Sequence, residues 1–459
     1  MGRNWIAVNI IIAGCGNIGS SIVSSLCSEG HNVVVIDSGN QVIASVTNMY
    51  DTMGVCGNGA DSDTLKEAGI EKCDLFVSVT GSDELNMLSC FLAKRLGAAH
   101  TIARIRAPEY NDKNLSFIRQ ELSLDVSINP EMLAASELFN ILKLPGAVNI
   151  ETFSNRRFEM IELIVKDGSP LSDISLMELK KKYNARFLVC AVQRGEQVVI
   201  PDGSFVLKSG DHIRLTASPT EIQKLLKMLG ILNKQARSVI ILGASRTAYY
   251  LSKALIAAGN TVKIIEKDRD KCVELSEQLP EAVLINGDGA DQDLLAEEGI
   301  GSVDAFITLT GSDEENILIG IFAKSQSVPK VIAKINRPEL AAMAEELGLE
   351  STVSPKKLIS DVLSSYARAL ENSKGSNIET LYKIIDGKAE ALEFNVRSDY
   401  PWLNKPIKEL KIKRNVLIAG IIRGRQTIIP SGDDCISRGD KVIILAAETQ
   451  MNDLSDILR

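Results

Sequence analysis

Histidine is scarce in this sequence, and CxxC pairs and long apolar runs are absent. The three histidines, His31, His100 and His212, are too scattered to form a zinc site. Eight cysteines without a CxxC pair favour reduced, buried thiols over a disulfide framework. No apolar run approaches the roughly 18 residues that a membrane span needs, and none follows Arg3 as a signal peptide would require. We therefore expect a cytoplasmic protein without a metal site.

The charge balance excludes two kinds of partner. The net charge is −8, and the sequence has no polybasic run. Nucleic-acid surfaces need a concentrated basic face, and anionic lipids attract polybasic segments. The sequence therefore predicts no nucleic-acid partner and no direct membrane insertion.

What the sequence does contain is a long internal repeat. The segment TGSDELN at Thr80–Asn86 returns 230 positions later as TGSDEEN at Thr310–Asn316, and Gly210-Asp211 returns as Gly439-Asp440. Solenoid repeats have periods of about 20–50 residues, so this period indicates a duplicated multi-domain unit. Any proposed function has to explain a tandem pair.

Each half of the repeat begins with buried strands alternating with helices and ends with short strands separated by turns. The first pattern is typical of a parallel sheet covered on both faces, and the second of a small α+β domain. The predicted fold class is α/β, with tandem Rossmann-like doubly wound sheets that are each followed by a small α+β domain. The predicted boundaries are 1–144 and 236–371 for the sheet domains, 152–218 and 378–459 for the small domains, and 219–235 for a linking helix.

A helix with a clear start signal closes each sheet domain. Asn129 is a good N-cap and Pro130 suits the first helical position; Ser354-Pro355 repeats the signal. An apolar stripe on the first of these helices needs a cover, and its members are Ala134, Leu138, Ile141 and Leu142. The cover is either the helix's own domain or a neighbouring subunit with which the helix is exchanged.

A complete GxGxxG pattern follows the first apolar run and opens a helix, at Gly14-Cys15-Gly16-Asn17-Ile18-Gly19. Asp37 ends the next strand, 18 residues after Gly19. In this context the pattern predicts a nucleotide site with the phosphates at the helix N-terminus. The Asp37 carboxylate would accept hydrogen bonds from ribose and repel a 2′-phosphate, which favours NAD(H) over NADP(H). Because Asp37 recognises adenosine ribose rather than nicotinamide, ATP, ADP and AMP remain open.

Further candidates follow the later strands. Asn58 is expected near the adenine, Thr80 and Gly81 at the carboxyl edge where open sheets bind ligands, and Arg104 near a phosphate, with a surface salt bridge as the alternative for Arg104. The second copy departs from the pattern, since Gly16 corresponds to Ser245, whose Cβ would crowd a pyrophosphate. Its predicted site consists of Gly243, Ser245, Arg246, Glu266, Thr310 and Lys334. ATP/ADP, NAD(H) or no ligand are open there.

Catalytic groups are not apparent beside these sites. A dehydrogenase needs a general acid or base in a cleft, but neither small domain offers a nucleophile–base set or a histidine cluster. The nucleotide is therefore expected to be an effector, and the protein not an enzyme. The alternatives are a soluble NAD-dependent oxidoreductase and a duplicated interaction protein with a vestigial site.

The motifs together resemble the TrkA family of Trk potassium-uptake regulatory proteins, over nearly the whole chain. That family has two KTN (RCK-type) nucleotide-binding domains, each followed by a TrkA-C domain. The resemblance is carried by Gly14–Gly19 with Asp37, Gly57-Asn58-Gly59-Ala60, Thr80-Gly81-Ser82-Asp83, Ile102-Ala103-Arg104, Arg194-Gly195 with Gly210-Asp211, and Arg423-Gly424 with Gly439-Asp440.

The resemblance implies a cytoplasmic, peripheral regulatory subunit. It would assemble as a homo-oligomeric, tetrameric ring under a membrane-embedded potassium transporter of the TrkH/TrkG type and gate it when nucleotides bind. The family's dinucleotide contacts correspond here to Gly14, Cys15, Gly16, Asn17, Ile18, Asp37, Asn58, Thr80, Gly81 and Arg104.

Overall fold

The computed structural model describes residues 7–110, 112–143, 148–153, 158–183, 186–230, 236–373, 378–385, 388–447, 451 and 453–458. These residues form two compact units. The first unit holds the described residues up to Ser136 together with those from Ser354 to Ser373, and the second holds the remainder.

The first sheet domain is a parallel, doubly wound sheet. Its elements are β1 (Asn9–Ala13), α1 (Asn17–Ser28), β2 (Asn32–Asp37), α2 (Asn40–Tyr50), β3 (Met53–Cys56), α3 (Ser62–Glu67), a 3₁₀ turn (Ile70–Lys72), β4 (Leu75–Ser78), α4 (Asp83–Leu96), β5 (His100–Arg104), α5 (Asp112–Glu121), β6 (Val126–Ile128) and α6 (Pro130–Lys143). The strands lie in the order β3-β2-β1-β4-β5-β6, and every neighbouring pair is parallel. Side chains of β1 point alternately into two cores, with Ile10 and Ile12 in one and Ile11 and Ala13 in the other. Burial on both faces explains why the strand reads as a continuous apolar run.

The first small domain is an antiparallel sheet covered by two helices. Its elements are β7 (Asn149–Phe153), β8 (Phe158–Ile164), α7 (Leu176–Tyr183), β9 (Phe187–Arg194), β10 (Gln197–Val199), β11 (His212–Ala217) and α8 (Pro219–Met228). The strand order is β10-β9-β11-β8-β7. Ile222, Leu225 and Leu226 of α8 are buried in the core of this sheet. The helix that the sequence assigned to a linker therefore packs with the first small domain.

The second sheet domain repeats the first. Its elements are β12 (Ser238–Leu242), α9 (Arg246–Ala257), β13 (Thr261–Glu266), α10 (Arg269–Gln278), β14 (Val283–Asn286), α11 (Gln292–Glu297), a 3₁₀ turn (Ile300–Ser302), β15 (Ala305–Thr308), α12 (Asp313–Ser325), β16 (Lys330–Lys334), α13 (Pro338–Glu346) and β17 (Thr352–Val353). Its parallel strands have the matching order β14-β13-β12-β15-β16-β17. The duplication seen in the sequence is therefore a duplication of the fold.

The last part of the chain is the helix α14 and the second small domain. The elements are α14 (Pro355–Ser373), β18 (Ile378–Ile384), β19 (Ala389–Asn395), a 3₁₀ turn (Ile407–Glu409), β20 (Val416–Arg423), β21 (Gln426–Ile428), β22 (Lys441–Ala447) and a 3₁₀ turn (Leu454–Ile457). The sheet order is β18-β19-β22-β20-β21. None of the helices in the described ranges combines the length and the apolar character that a membrane crossing requires.

The two small sheets share an apolar core within the second unit. Phe158 and Cys190 from the first sheet are buried in one cluster with Ala391 and Leu445 from the second. The ring of Phe158 lies where a Cβ on Gly420 would be, 2.3 Å from the ring atom Cε2. Gly420 is therefore the residue that lets the two sheets approach each other.

Helix α14 packs in the first unit, although it follows the second sheet domain in the chain. Ile359 and Leu363 of α14 are buried in the same core as Ile22 and Leu26 of α1. The sequence left two covers open for such a helix, its own domain or a neighbouring subunit. The structure gives a third answer for α14, because the cover is the other sheet domain of the same chain.

An arginine–aspartate pair crosses each small sheet and explains its recurring dipeptides. Arg194 donates from Nε and Nη2 to the two carboxylate oxygens of Asp211 at 2.6 and 2.7 Å. Arg423 and Asp440 form the same pair at 2.9 and 2.8 Å. Asp211 is fully buried, and bidentate pairs of this kind are the stronger ones.

We predict that Arg194→Ala lowers the free energy of unfolding by about 2–3 kcal/mol, because it leaves a buried carboxylate without its cation. Urea denaturation would measure the change. The double variant Arg194→Ala/Asp211→Asn should lose less than the sum of the two single variants. Strictly additive losses would contradict a coupled pair.

The predicted fold class is confirmed by the two parallel sheets and the two antiparallel ones. The predicted domain boundaries stay predictions. The strands β7 and β18, which add an edge to each small sheet, were not predicted, because the sequence pattern marked only the strands that follow them.

Candidate functional site

The predicted residues of the first site lie at the carboxyl edge of the first parallel sheet. In the order β3-β2-β1-β4-β5-β6 the strands β1 to β3 are added towards one edge of the sheet and β4 to β6 towards the other, so the strand order reverses between β1 and β4. Loops that leave neighbouring strands in opposite directions open a crevice there, and ligands of open α/β sheets bind in it. The segments after β1, β2, β4 and β5 carry the residues that form this crevice.

Packing within the chain requires two of the three glycines in the loop after β1, but not the third. Gly14 has φ 97°, and a Cβ on it would lie 2.8 Å from the Thr80 nitrogen. A Cβ on Gly19 would lie 1.9 Å from the Gly14 carbonyl oxygen. Gly16 has an ordinary φ of −65°, and a Cβ on it would have no described atom within 4 Å. Packing within the chain thus requires Gly14 and Gly19, whereas it places no demand on Gly16.

The N-terminus of α1 is open where that of α9 is capped. Gly16 is the N-cap residue of α1 and has no side chain to accept from the first turn. In the second copy the Ser245 hydroxyl accepts from the Ala248 N–H at 3.3 Å. The first N–H groups of a helix have no intrahelical acceptor, so α1 presents them, with the positive end of its dipole, to the crevice.

Asp37 holds the glycine loop by its carboxylate. Its Oδ2 accepts from the Cys15 N–H at 2.8 Å, and its Oδ1 accepts from the Gly39 N–H at 2.9 Å. Burial first, and the charge of Asp37 second, raise the pKa of the Cys15 thiol to about 12. Cys15 therefore contributes its backbone to the site, and its thiol stays protonated.

Asn86 joins the ends of β4 and β5, and the sequence interpretation missed it. Its Oδ1 accepts from the Thr80 N–H and hydroxyl, both at 2.7 Å, and its Nδ2 donates to the Arg104 carbonyl at 2.9 Å. Asn86 is fully buried. The repeated segment TGSDExN, which ends on this asparagine in both copies, was the available signal.

Asp83 and Arg106 fix the next loop, and Arg106 was also missed. The Asp83 carboxylate accepts from the Arg106 and Ala107 N–H groups at 2.8 Å each. Arg106 Nη2 donates to the Gly81 carbonyl at 2.6 Å. The exposed Gly81 is therefore held in place by a cation that stands beside the crevice.

Arg104 and Asn58 occupy the two flanks of the edge. Arg104 ends β5 and is buried, so the surface salt bridge considered for it does not describe it. Asn58 is exposed after β3, and its Oδ1 accepts from the Ala60 N–H at 2.9 Å. The structure thus brings Gly14, Cys15, Asp37, Thr80 and Arg104 together through direct or one-residue contacts. Asn17 is exposed and Ile18 half-buried in the first turn of α1.

The second site keeps the framework of the first and adds side chains. Gly243 has φ 96°, and Glu266 Oε2 accepts from the Ala244 N–H at 2.7 Å. Thr310 bonds to Asn316 as Thr80 does to Asn86. Lys334 Nζ lies 3.5 Å from the Leu309 carbonyl oxygen, and Arg246 is exposed in the first turn of α9.

An ion pair that the first site lacks also stands at the second. Lys267, which follows Glu266, lies 2.7 Å from Asp288; the corresponding residues of the first copy are Ser38 and Asn58. This pair and the Ser245 cap are two features that distinguish the second site from the first. Across the described residues, no group of three or more metal-ligating side chains is placed to hold an ion.

Family models match both kinds of domain. The TrkA-N domain model matches residues 10–130 and 239–355, and the TrkA-C domain model matches residues 160–230 and 391–459. These matches cover most of the chain and coincide with the sheet domains and the small domains.

Relatives and solved structures agree with the models. A Trk system potassium uptake protein TrkA homolog of Archaeoglobus fulgidus is 31% identical over 98% of this chain and 100% of that protein. TrkA homolog 1 of Methanosarcina mazei is 31% identical over 95% of this chain and 96% of that protein. The GsuK channel bound to NAD has a TM-score of 0.63 and 16% identity over 98% of this chain and 78% of that one, a likeness of fold. The Archaeoglobus and Methanosarcina proteins are named as potassium uptake proteins rather than enzymes, and the resemblance drawn from the motifs is confirmed. The chain belongs to the TrkA family of Trk-system potassium uptake proteins.

Proposed function

We propose that this protein is a cytoplasmic, nucleotide-sensing regulatory subunit of a Trk-type potassium uptake transporter. Its partner would be a membrane-embedded subunit of the TrkH/TrkG type, which it meets from the cytoplasmic side as a tetrameric ring. The names of the full-length relatives support the potassium connection. The tandem pair of sheet domains supports a regulatory role, because ligand occupancy can then bias the chain at two places.

The main support for the first site is the glycine at position 16. A glycine that packing does not require is explained by something outside the chain that approaches the backbone there. The open N-terminus of α1 suits a pyrophosphate, and Asp37 stands where an adenosine ribose would lie in this fold. We assign NAD(H) to this site, and the NAD-bound GsuK channel supports the choice by its fold.

The second site is proposed to be weaker. The Ser245 hydroxyl already caps α9, and Lys267 is paired with Asp288. A nucleotide would have to displace these contacts, so the net gain on binding is smaller. ATP or ADP, NAD(H), or no ligand remain the alternatives for this domain.

Occupancy can act on the rest of the chain through α1. A ligand shifts a conformational equilibrium only by its differential affinity for the two states, and such coupling typically amounts to about 1–3 kcal/mol. The N-terminus of α1 faces the proposed phosphate position, and α14 packs along the same helix. A shift of α1 on nucleotide binding would therefore displace α14, which is packed against it.

Calorimetric titration of NADH, NAD, ATP and ADP tests the site. We expect Asp37→Ala to weaken NADH binding about 10–100-fold, the equivalent of losing hydrogen bonds to a charged group at about 1.5–3 kcal/mol. Glu266→Ala is the matched control, since it removes the corresponding acid of the second copy, and it should leave the tighter binding event intact. Equal affinity in wild type and Asp37→Ala would remove the assignment, and NADH consumption with a substrate would favour the oxidoreductase alternative.

The regulatory role needs a separate test. Potassium uptake should change when the gene is deleted, and the tagged protein should co-purify with a membrane protein. Light scattering on the purified chain should give the mass of a tetramer. Unchanged uptake with intact nucleotide binding would reject the transporter role and leave the site assignment in place.

A further inference from the structure

His212 stands between two carboxylates that come from different domains. It is the first residue of β11, and its Nδ1 lies 2.9 Å from Glu162 Oε1 on the neighbouring strand β8. Its Nε2 lies 3.4 Å from Glu345 Oε1 on α13 of the second sheet domain. All three residues belong to the second compact unit. The imidazole therefore bridges the first small domain and the second sheet domain.

Only the protonated ring fits both neighbours. A neutral imidazole has one donor nitrogen and one acceptor nitrogen, whereas the imidazolium ion has two donors. Ionised carboxylates only accept, so a neutral His212 would turn a lone pair towards one of them. The hydrogen bond to Glu162 raises the pKa of His212, and burial opposes the rise. The charges of Glu162 and Glu345 add to it, and the charge of Arg214 lowers it.

The second copy of the repeat has a lysine at this position. Lys441 is the first residue of β22, as His212 is of β11, and its Nζ lies 3.2 Å from Glu393 on the neighbouring strand β19. The same sheet position thus holds a lysine in one small domain and a titratable histidine in the other. Lysine stays charged across physiological pH, whereas histidine changes its charge there.

The remaining charges decide which contact depends on the proton. Arg214 Nη2 lies 2.7 Å from Glu162 Oε2, so Glu162 keeps a cation when His212 is neutral. Gln193, opposite His212 on β9, carries no charge. The Glu345 side chain is 53% exposed, so water can hydrate its carboxylate when the histidine is neutral. Deprotonation therefore weakens the contact with α13 more than the contact within the sheet.

A second ion pair, which contains no histidine, joins the same two domains. Lys166 Nζ lies 3.7 Å from Glu350, which also lies 4.0 Å from Lys324. Both of these lysines are well exposed, so their pairs are weak. The histidine bridge is the one contact of this group that a change of pH near neutrality would switch.

We propose that His212 is a proton-dependent link between the first small domain and the second sheet domain. The link is present at mildly acidic pH and is lost as the pH rises through the titration of the bridged ring. The sign follows because the pKa is raised in the folded protein, so the protonated form is the one that the fold stabilises. A rise in pH would then weaken this contact of α13 with the small domain. The proposal does not depend on nucleotide binding.

Nuclear magnetic resonance titration of the full chain tests the bridge, because only three histidines contribute imidazole signals. We expect His212 to titrate above the ordinary value of 6.5, and Glu345→Gln to lower its pKa. Glu346→Gln, the next residue of α13, is the matched control and should leave the pKa where it was. The bridge to α13 is rejected if Glu345→Gln and Glu346→Gln give the same titration as wild type.

Hydrogen exchange of α13 measures the consequence. After correction for intrinsic rates, exchange of the α13 amides should rise about two- to fivefold between pH 6 and pH 8, the range expected for losing one partly exposed ion pair. His212→Lys, which copies Lys441, should keep exchange low at both pH values. A pH step that persists in His212→Lys, or the absence of a step in wild type, would overturn the proposal.

Discussion

Replacing Gly16 with serine is expected to abolish most of the nucleotide affinity of the first site without loss of stability. The new Cβ meets no described atom of the protein, but it would occupy the side from which a pyrophosphate approaches. The new hydroxyl can also cap α1, as Ser245 caps α9, and so compete with the phosphate for the same N–H groups. Losing one hydrogen bond to a charged group costs about 1.5–3 kcal/mol, or about 10–100-fold in affinity. Because exclusion by the Cβ adds to that cost, we expect at least a 100-fold loss in calorimetry.

Stability distinguishes this variant from a damaged protein. Serine at an N-cap differs from glycine by only a few tenths of a kcal/mol, in favour of serine. The melting temperature of Gly16→Ser should therefore equal or slightly exceed that of wild type. Gly19→Ala is the opposite case, because its Cβ would meet the Gly14 carbonyl oxygen at 1.9 Å and must disturb the loop.

The reciprocal change, Ser245→Gly, should increase the affinity of the second site. It removes both the Cβ and the cap, whereas Ser245→Ala removes the cap alone, at about 1 kcal/mol of stability. If Ser245→Gly raises the nucleotide affinity and Ser245→Ala does not, the Cβ of Ser245 is what weakens binding. If both variants raise the affinity, the hydroxyl is what weakens it. Wild-type affinity in Gly16→Ser would show that the glycine is not explained by a ligand.

Local patterns were enough to predict the sheets and the glycine loop. The buried strands of a parallel sheet are continuous apolar runs, and β1 shows such a run before Gly14. The spacing from Gly19 to Asp37 then placed the acid at the end of β2, where the structure has it. These features depend on residues that lie close together in the chain, which is why one sequence reveals them.

Contacts between distant segments were not predictable in the same way. Asn86 bonds to Arg104, and Arg106 to Gly81, and neither pairing follows from periodicity or composition. The repeat marked Asn86 as a retained residue but could not name its partners. His212 was seen only as a scattered histidine, because its two carboxylates lie 50 and 133 positions away.

The packing of α14 on α1 could not be predicted either, because the two helices are far apart in the sequence. The Ser354-Pro355 start signal predicted the helix, but the surface that covers it is specified by complementary side chains on α1. Ser360 and Ser364 pair with Ser21 and Ser25 at 3.1 and 2.9 Å, across 339 positions of sequence. Small residues on both helices allow this close approach. The sequence contained both serine pairs, and only the fold shows that they meet.

Arg368→Ala is expected to lower the free energy of unfolding by about 3–5 kcal/mol. Arg368 Nε donates to Glu29 Oε2 at 2.8 Å, and its Nη2 contacts Oε1, so the pair is bidentate. Both side chains are 6% exposed. Glu29 lies at the C-terminal end of α1. Removing the guanidinium leaves the Glu29 carboxylate buried without this cation, and we expect this to weaken the packing of α14 on the first sheet domain. Urea denaturation would give the magnitude, and hydrogen exchange of the α14 amides would locate it.

Two comparisons separate the buried charge from the loss of side-chain packing. Arg438→Ala breaks an ion pair with Asp399 whose side chains are both well exposed, and it should change stability by less than about 1 kcal/mol. The double variant Arg368→Met/Glu29→Met removes both charges and keeps the volume, so it should recover much of what Arg368→Ala loses. If Arg368→Ala costs no more than Arg438→Ala, the pair does not hold α14 on α1. In that case the apolar contacts of Ile359 and Leu363 with α1 would be sufficient to explain the docking.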